Sequence, residues 1–556
     1  MSKLLPVNPY SDLSIDSEVR ERVKTYTLPP DDTVRLYGPE VTIVDSPQFQ
    51  RLAGIKQLGT TNYVYRGALH TRFEHSLGTL QRAEEMLQAV ARNRTTPGEV
   101  EASARRVARL ACLLHDLPHV PYGHTLEDEF SLLQRHDKNP SRMQALLVES
   151  HIGDLLRSTI GQDEFEVLVK TLEAKTDEEI AALKYPYVGD IVGNTLCADL
   201  LDYVPRDLAA CGMPVTINRR FLDYLTLTGP ETPVELNRRR LAVNIDKAGM
   251  PRPDVESEIV ALLTHRYTLA ERVYFHHAKN AASVMIGRAV QALGLAMGED
   301  DPQSQDDAFL DLTDDVLLQI LANPDLAAAY GIDIAPSAAD RALCRELGSA
   351  LRERRLYKVA FLAVKDDLPA DAADLYARYG ARPQTRRELE DRIAALAGAD
   401  PGQVLIHLPR PKMMHKDADV RVLINGGQSI LKLSEWDDLH SRRIRSLNEA
   451  HQGLWRLTVY VHPAVRENEE KRLRVLALAE EEFNARSRVN PKVGSPFTDL
   501  LFDQFAPQKG WLPMHRPALA GAQHSQAGSL QAVVDTLHEQ VLAWSEENGV
   551  DPPTLD

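Results

Sequence analysis

The sequence predicts a mainly α-helical protein with a smaller α+β lobe toward the C-terminal end. Apolar residues recur at helical spacing through the first ~320 residues, the pattern of a helix that buries one stripe. An acidic, helix-breaking stretch, GEDDPQSQDD at 298–307, then interrupts the chain. Beyond it short β-like runs alternate with helical stretches, a change of rhythm that marks a second unit.

Taken in order, residues 74–92 (EHSLGTLQRAEEMLQAVAR) bring Leu77, Leu80, Met86, Leu87 and Val90 to near-helical spacing. Residues 101–117 repeat the pattern through Val107, Leu110, Leu113 and Leu114, so both are expected as core-facing helices. Residues 143–172, 191–204, 255–295 and 312–322 carry the same signal. Past the acidic breaker, LYKVAFLAV (356–364), QVLIHL (403–408), VRVLI (420–424) and LWRLTVYV (454–461) are expected as strands, with helices at 385–397 and 468–487. Residues 490–528 collect Pro, Gly, Ser and Gln as a linker does, and 529–547 form one amphipathic helix suited to docking. The expected division is an N-terminal segment (1–43), a helical core (44–324), an α+β lobe (325–490) and a linker with its terminal helix (491–556).

With 556 residues, 43% hydrophobic and 26% charged, the chain has material for a large core. Its 64 Lys and Arg against 80 Asp and Glu leave a net charge of −16, which repels polyanions at long range. Generic adhesion to nucleic acid or to an anionic membrane is therefore disfavoured, while a cationic pocket inside an acidic protein remains compatible with the balance. The first residues lack the apolar stretch of a signal peptide, and no run approaches the ~18 apolar residues of a membrane span. A soluble, cytoplasmic protein with no membrane partner is expected. Cys112, Cys197, Cys211 and Cys344 are scattered without a CxxC pair, which speaks for reduced, buried thiols rather than disulfides or a cysteine zinc site.

The densest chemistry lies in LACLLHDLPHVPYGH at 110–124, where an apolar helical stretch delivers His115, Asp116, His119 and His124. The His-Asp dipeptide alone is weak, since His136-Asp137 repeats it in a polar stretch. Setting separates the two: burying an imidazole and a carboxylate on an apolar helix is costly without a partner, and a metal ion is such a partner. Three further segments strengthen that expectation. HTRFEHSLG (70–78) places His75 at a helix start with Arg72 nearby. CADLLDYVPRD (197–207) sets Asp199, Tyr203 and Asp207 at i, i+4 and i+8, one face of an unbroken helix, although Pro205 is expected to interrupt it. HRYTLAERVYFHHAKN (265–280) offers Arg266, Arg272 and Tyr274 from a basic, aromatic helix.

Through VDSPQFQRLAGIKQLG (44–59), GALHTRFEHSLG (67–78), LLHDLPHVPYGH (113–124), DLLDYVPRD (199–207) and GQVLIHLPRPK (402–412), the chain resembles the HD-domain deoxynucleoside triphosphate triphosphohydrolases. Within them it is most similar to the branch that includes the vertebrate sterile-alpha-motif HD protein, without that motif, since the chain starts almost directly with the catalytic region. The resemblance implies an HD-domain helical core with metal ligands His75, His115, Asp116 and Asp199. Two imidazoles and two carboxylates suit a six-coordinate divalent ion, Fe, Mn or Mg. It also implies that His119 and His124 take part in phosphoester cleavage, supported by an acid and histidine pair, Glu127 and His136. Arg72 and Arg266 match phosphate contacts, while Gln57, Leu58, Tyr203, Asp207 and Tyr274 match residues around the sugar and base. In that scheme Tyr203 packs against C2′ and Asp207 accepts from the 3′-OH.

The substrate so implied is a dNTP, cleaved to a deoxynucleoside and inorganic triphosphate by a homo-oligomer open to an activating nucleotide. Asp45 and Gln50 match part of the regulatory site, but Ala53 stands where the vertebrate branch has an arginine that holds a guanine nucleotide. Leu200 stands where a lysine phosphate contact often follows the last metal Asp, and Pro118 and Val120 replace the glycines that usually flank His119. Two other functions use the same metal set. An HD phosphodiesterase or nuclease needs a basic groove, which the Arg pairs and triplets at 219–220 and 238–240 could line. A non-catalytic dNTP sensor needs no histidine pair beside the metal. Roles in dNTP pool balance and in starving phage of dNTPs fit the enzyme equally.

Overall fold

The computed structural model describes residues 7–29, 32–93, 100–135, 139–228, 239–247, 250–295, 308–411, 420–425, 429–489 and 530–554, with a few single positions between 505 and 518. The first core-facing helix runs Arg72–Asn93 and the second Ala102–Leu114, packed on one another with Leu77, Leu80, Met86, Val107, Leu110 and Leu114 fully buried between them and their neighbours. A third helix, Ala198–Ala210, lies against the first at Gly78. A Cβ there would overlap the Asp202 carboxylate and the Arg206 guanidinium, so only glycine allows the approach. This third helix continues through Pro205 instead of stopping at it. Proline removes one backbone hydrogen bond, and burial of Leu200, Leu201, Val204 and Leu208 on the same helix outweighs that loss.

Two long helical expectations resolve into shorter pieces with identifiable breaks. Within 143–172, Ser150 caps the helix His151–Ile160 and Gly161, at φ +79°, ends it before Gln162–Glu173 begins. Within 255–295, the helices Pro253–Leu269 and His277–Leu293 are separated by a wide turn, Ala270–Tyr274, and the His276 side chain caps the second. Every residue from Lys279 to Leu293 is buried, which makes this helix the spine between the helical core and the C-terminal lobe.

The N-terminal segment contributes an antiparallel hairpin, Val23–Leu28 with Asp32–Tyr37, that periodicity alone did not reveal. In the C-terminal lobe a three-stranded antiparallel sheet has Arg456–Val461 at its centre, flanked by Lys358–Val364 and Val404–His407. The expected strand at 420–424 pairs elsewhere: Arg421–Ile424 runs parallel to Leu241–Asn244 with Val422 opposite Val243, in a four-stranded sheet that joins both parts of the chain. A second buried cluster, centred on Phe361, Ile393, Ile406, Val459 and Phe483, forms the lobe's own core. The terminal helix Leu530–Asn548 buries Val534, Leu537 and Val541, while most of the expected linker lies outside the described residues. All four cysteines are buried thiols. Among the described residues no helix is long and apolar enough to cross a membrane.

Candidate metal centre and active site

The three helices deliver their polar residues to one point. His75, one turn into Arg72–Asn93, places Nε2 3.1 Å from Asp199 Oδ1 and 3.7 Å from Asp116 Oδ2. His115, the cap of Ala102–Leu114, places its Nε2 3.4 Å from Asp116 Oδ1. Ligand atoms of His75, His115 and Asp199 all lie within 4.8 Å of one another, and the two imidazoles meet edge to face with centroids 5.3 Å apart. The structure therefore brings together the four residues implied as ligands.

Their surroundings fix which nitrogen faces inward. His115 Nδ1 lies 2.8 Å from the Cys112 carbonyl, to which it can only donate, so its buried Nε2 carries the lone pair and has no hydrogen-bond partner among the described residues. His75 Nδ1 lies 2.9 Å from Asp202 Oδ2, and Arg206 in turn donates to both Asp202 oxygens at 2.9 and 2.6 Å. A carboxylate behind a ligating imidazole is the usual means of orienting it toward an ion. Asp202 and Arg206 were not singled out in the sequence, although Asp202 follows Asp199 by three positions, nearly one helical turn.

The electrostatics agree. Burial raises the carboxyl pKa of Asp116, but Arg72, His115 and His119 outweigh it and hold the group well below the ordinary carboxylate range. Asp199 is likewise lowered, burial being overcome by His75. Burial works against a charged His75, yet Asp199 and Asp202 push its pKa up to about 10. Ionised carboxylates gathered around inward-facing nitrogens, with an orphaned buried Nε2 among them, fit a divalent cation. The donor set suits Fe, Mn or Mg.

Beside the ligands a short loop carries His119 and His124. Arg51, unassigned from sequence, donates through Nη2 to the Leu117 and His119 carbonyls at 2.9 and 2.8 Å, while Asp314 accepts from the Tyr122 and Lys56 amides at 2.9 Å each. A Cβ at Gly123 would come within 2.7 Å of His119 Nδ1, and Tyr122 adopts φ +52°. His119 Nε2 lies 3.2 Å from Asp116 Oδ1, and the His119 and His124 rings meet edge to face at 5.2 Å. The carboxylate on His124 Nδ1 is Asp128, at 3.0 Å. Its neighbour Glu127 is fully buried and accepts from Arg142 at 2.5 Å. His136 lies outside the described residues.

The residues that the resemblance implied around the sugar and base also converge. Asp207 takes His70 Nε2 at 2.8 Å on one oxygen and the Tyr274 hydroxyl at 3.4 Å on the other, which adds His70 to the set. Burial pushes up the Tyr203 and Tyr274 hydroxyls, and the charge of Arg266 opposes both shifts. Arg72 donates to Asp116 Oδ2 at 2.7 Å and to the Gln57 carbonyl at 3.4 Å. Gln57 Oε1 is buried without a partner, and Leu58 next to it is buried. Leu200 is packed into the core, so the position that could have carried a phosphate-binding lysine faces away from solvent.

Other sequence candidates sit apart from this cluster. Asp45 pairs with Lys24 at 2.7 Å in a surface turn where Gln50 bonds the Val44 carbonyl and Ala53 is exposed. In the basic clusters Arg238 lies outside the described residues. Arg219 pairs with Glu85 at 3.0 Å, Arg220 with Asp254 at 3.6 Å, and buried Arg240 with Asp190 at 2.7 Å.

Residues 72–206 match the HD domain family, and residues 256–486 match the HD associated region. The mouse protein named deoxynucleoside triphosphate triphosphohydrolase SAMHD1 is 24% identical over 425 residues, which cover 68% of this chain and 61% of that one. The human protein of the same name is 27% identical over 334 residues, covering 52% and 50%. An uncharacterised Bacillus subtilis protein, YwfO, is 30% identical over 247 residues, covering 44% and 49%. The chain thus spans about half to three fifths of the length of these curated relatives. A crystal structure of a hypothetical protein from Aquifex aeolicus shares the fold with a TM-score of 0.54 at 21% identity, covering 81% of this chain and 100% of that one. With His75, His115, Asp116 and Asp199 inside the first match and most of its α+β lobe inside the second, the chain carries an HD domain followed by an HD associated region and is similar to the SAMHD1 triphosphohydrolases.

Proposed function

We propose that the chain is a metal-dependent phosphohydrolase that cleaves deoxynucleoside triphosphates to deoxynucleoside and inorganic triphosphate. The observation that carries this proposal is the pairing of two imidazoles turned Nε2-inward by their Nδ1 hydrogen bonds with a second pair, His119 and His124, at the edge of the same cluster. A divalent ion held by His75, His115, Asp116 and Asp199 supplies Lewis acidity toward phosphate oxygens and lowers the pKa of water. The remaining work falls to side chains. A triphosphate brings about four negative charges, and Arg72 and Arg266 offset part of that charge. His124, oriented by Asp128, holds the proton that the departing 5′ oxygen needs, with His119 beside it on Asp116. The ring of Tyr203 takes the space of a 2′-hydroxyl, and Asp207, already bonded by His70 and Tyr274, accepts from the 3′-OH.

Relatives named as dNTP triphosphohydrolases support the substrate class, and the ion-paired state of the basic clusters argues against an oligonucleotide. The proposal includes a homo-oligomer and a regulatory nucleotide at the Asp45 and Gln50 turn. It is tested by incubating purified protein with each dNTP and Mn or Mg, singly and in pairs, and separating the products. Deoxynucleoside with intact triphosphate is the expected outcome. Release of dNMP and pyrophosphate refutes the mechanism, and equal rates with NTPs remove Tyr203 as a 2′ filter.

A further inference from the structure

His124 is followed by a segment held along its whole length by groups from a distant part of the chain. Thr125–Glu129 forms a wide turn, and Ser131 adopts φ +52°, both sparsely populated backbone states that need outside support. The Glu127 carbonyl accepts from Arg410 Nη2 at 3.4 Å, and Asp128 Oδ1 lies 3.7 Å from Arg410 Nε. Glu129 pairs with buried Lys279, with buried His407 close enough that its charge and that of Glu129 act on each other. The Phe130 carbonyl accepts from buried Arg386 at 2.9 Å, whose guanidinium also lies 4.1 Å from the Phe130 ring centre. The Ser131 hydroxyl bonds the Tyr376 hydroxyl at 2.8 Å, and Tyr376 accepts from Arg410 Nε at 2.9 Å.

From this contact series we infer that the HD associated region positions His124 through a clasp made by Tyr376, Arg386 and Arg410 on residues 127–131. The inference rests on the proposed role of His124 in proton transfer and adds what sets its place. Arg410 lies 3.7 Å from one oxygen of the carboxylate that orients the His124 ring, and Arg135 lies 3.1 Å from the same oxygen. A shift of the lobe therefore moves His124 without touching the His75, His115 and Asp199 cluster, whose nearest supports, Asp202, Arg206 and the Cys112 carbonyl, come from the helical core. Tyr376, Arg386 and Arg410 are positioning residues and make no contact with the ligand atoms.

Arg386 is fully buried, so the test uses Arg410→Gln, Tyr376→Phe and their combination in the full chain. Bound metal, the thermal midpoint, kcat and KM with a dNTP and Mn, and hydrogen exchange by peptide are measured on each. The double variant is expected to lose about tenfold or more in kcat with KM changed less than about twofold, as a misplaced proton donor does. Metal content and the exchange of residues 72–93 should stay as in the parent chain while exchange across 125–131 rises about tenfold, and Arg410→Lys should recover part of the rate. Unchanged exchange in 125–131, or a rate loss that follows loss of metal, overturns the clasp. If the parent chain cleaves no nucleotide, the proposed function fails, and the exchange result still decides whether the lobe holds this segment.

Discussion

The two halves of the site are built in opposite ways. The ligand half stands on regular helices that touch one another within residues 72–210, braced by a chain of buried charges from His75 through Asp202 and Arg206 to Asp32 and Arg82. The half that carries His119 and His124 stands on a loop with a left-handed Tyr122, a wide turn and a left-handed Ser131, and its supports come from Arg51, Asp314 and the 376–410 segment. Interlocked helices and ion pairs resist displacement, because leaving one buried charge unpaired costs about 3–5 kcal/mol. A strained loop held by a few side chains yields more easily. Under the proposed function, the contrast predicts that ion binding and turnover respond separately to substitution.

The largest effect that can break this comparison comes from the ligands. His115→Ala or Asp116→Ala should remove bound metal by elemental analysis and reduce hydrolysis by about a thousandfold or more, with a cooperative melt retained. Full activity in either variant removes the metal assignment. A smaller change sharpens the ligand half: Asp202→Asn weakens the brace on His75 and should lower metal affinity by about 10–100-fold in a calorimetric titration, with kcat largely recovered at saturating ion. Loss of kcat at saturating ion would instead put Asp202 in the chemistry. Tyr203→Ala should narrow the dNTP over NTP preference by about tenfold in competition assays, since it opens space for the 2′-hydroxyl.

Regulation and pH give the smallest effects. Ala53 lacks the charge-assisted bond an arginine would give a guanine nucleotide, about 1.5–3 kcal/mol, so added GTP should change the rate with one dNTP less than about twofold. Strong, saturable activation by GTP contradicts this. In the lobe, burial pushes Glu390 up to about 7 against the opposing charges of Arg288 and Arg386, one turn before it on the Pro383–Leu396 helix. A carboxyl with its folded pKa above its unfolded value near 4.5 holds its proton better in the folded state. Its contribution to stability is therefore greatest below about 4.5, declines as pH rises toward about 7 and is level above that. The melting temperature should fall between pH 5 and pH 7.5 more steeply in the parent chain than in Glu390→Gln, and equal slopes would contradict the shift.

The same contrast governs how much the sequence discloses. His75, His115, Asp116 and Asp199 are legible because helical spacing and ordered motifs place them, and Arg72–Asn93 and Ala102–Leu114 form where the apolar periodicity puts them. Pro205 misleads, since tertiary packing carries the helix past it. His124 meets Asp128, its neighbour four positions on, a pairing that the family motifs did not single out, while the buried Glu127 carboxylate takes Arg142. The clasp is hidden for a different reason. Arg386 and Phe130 are 256 positions apart, farther than the paired strand residues Val243 and Val422, and such pairings are set by the assembled fold.

The proposed cleavage lies between the α-phosphorus and the 5′ oxygen, at the His75, His115, Asp116 and Asp199 centre. Hydrolysis of a dNTP by the Mn-loaded protein in oxygen-18 water, followed by mass spectrometry of both products, tests it most directly. The account predicts one labelled oxygen in the inorganic triphosphate and none in the deoxynucleoside. Label in the deoxynucleoside, or release of dNMP with pyrophosphate, would contradict it.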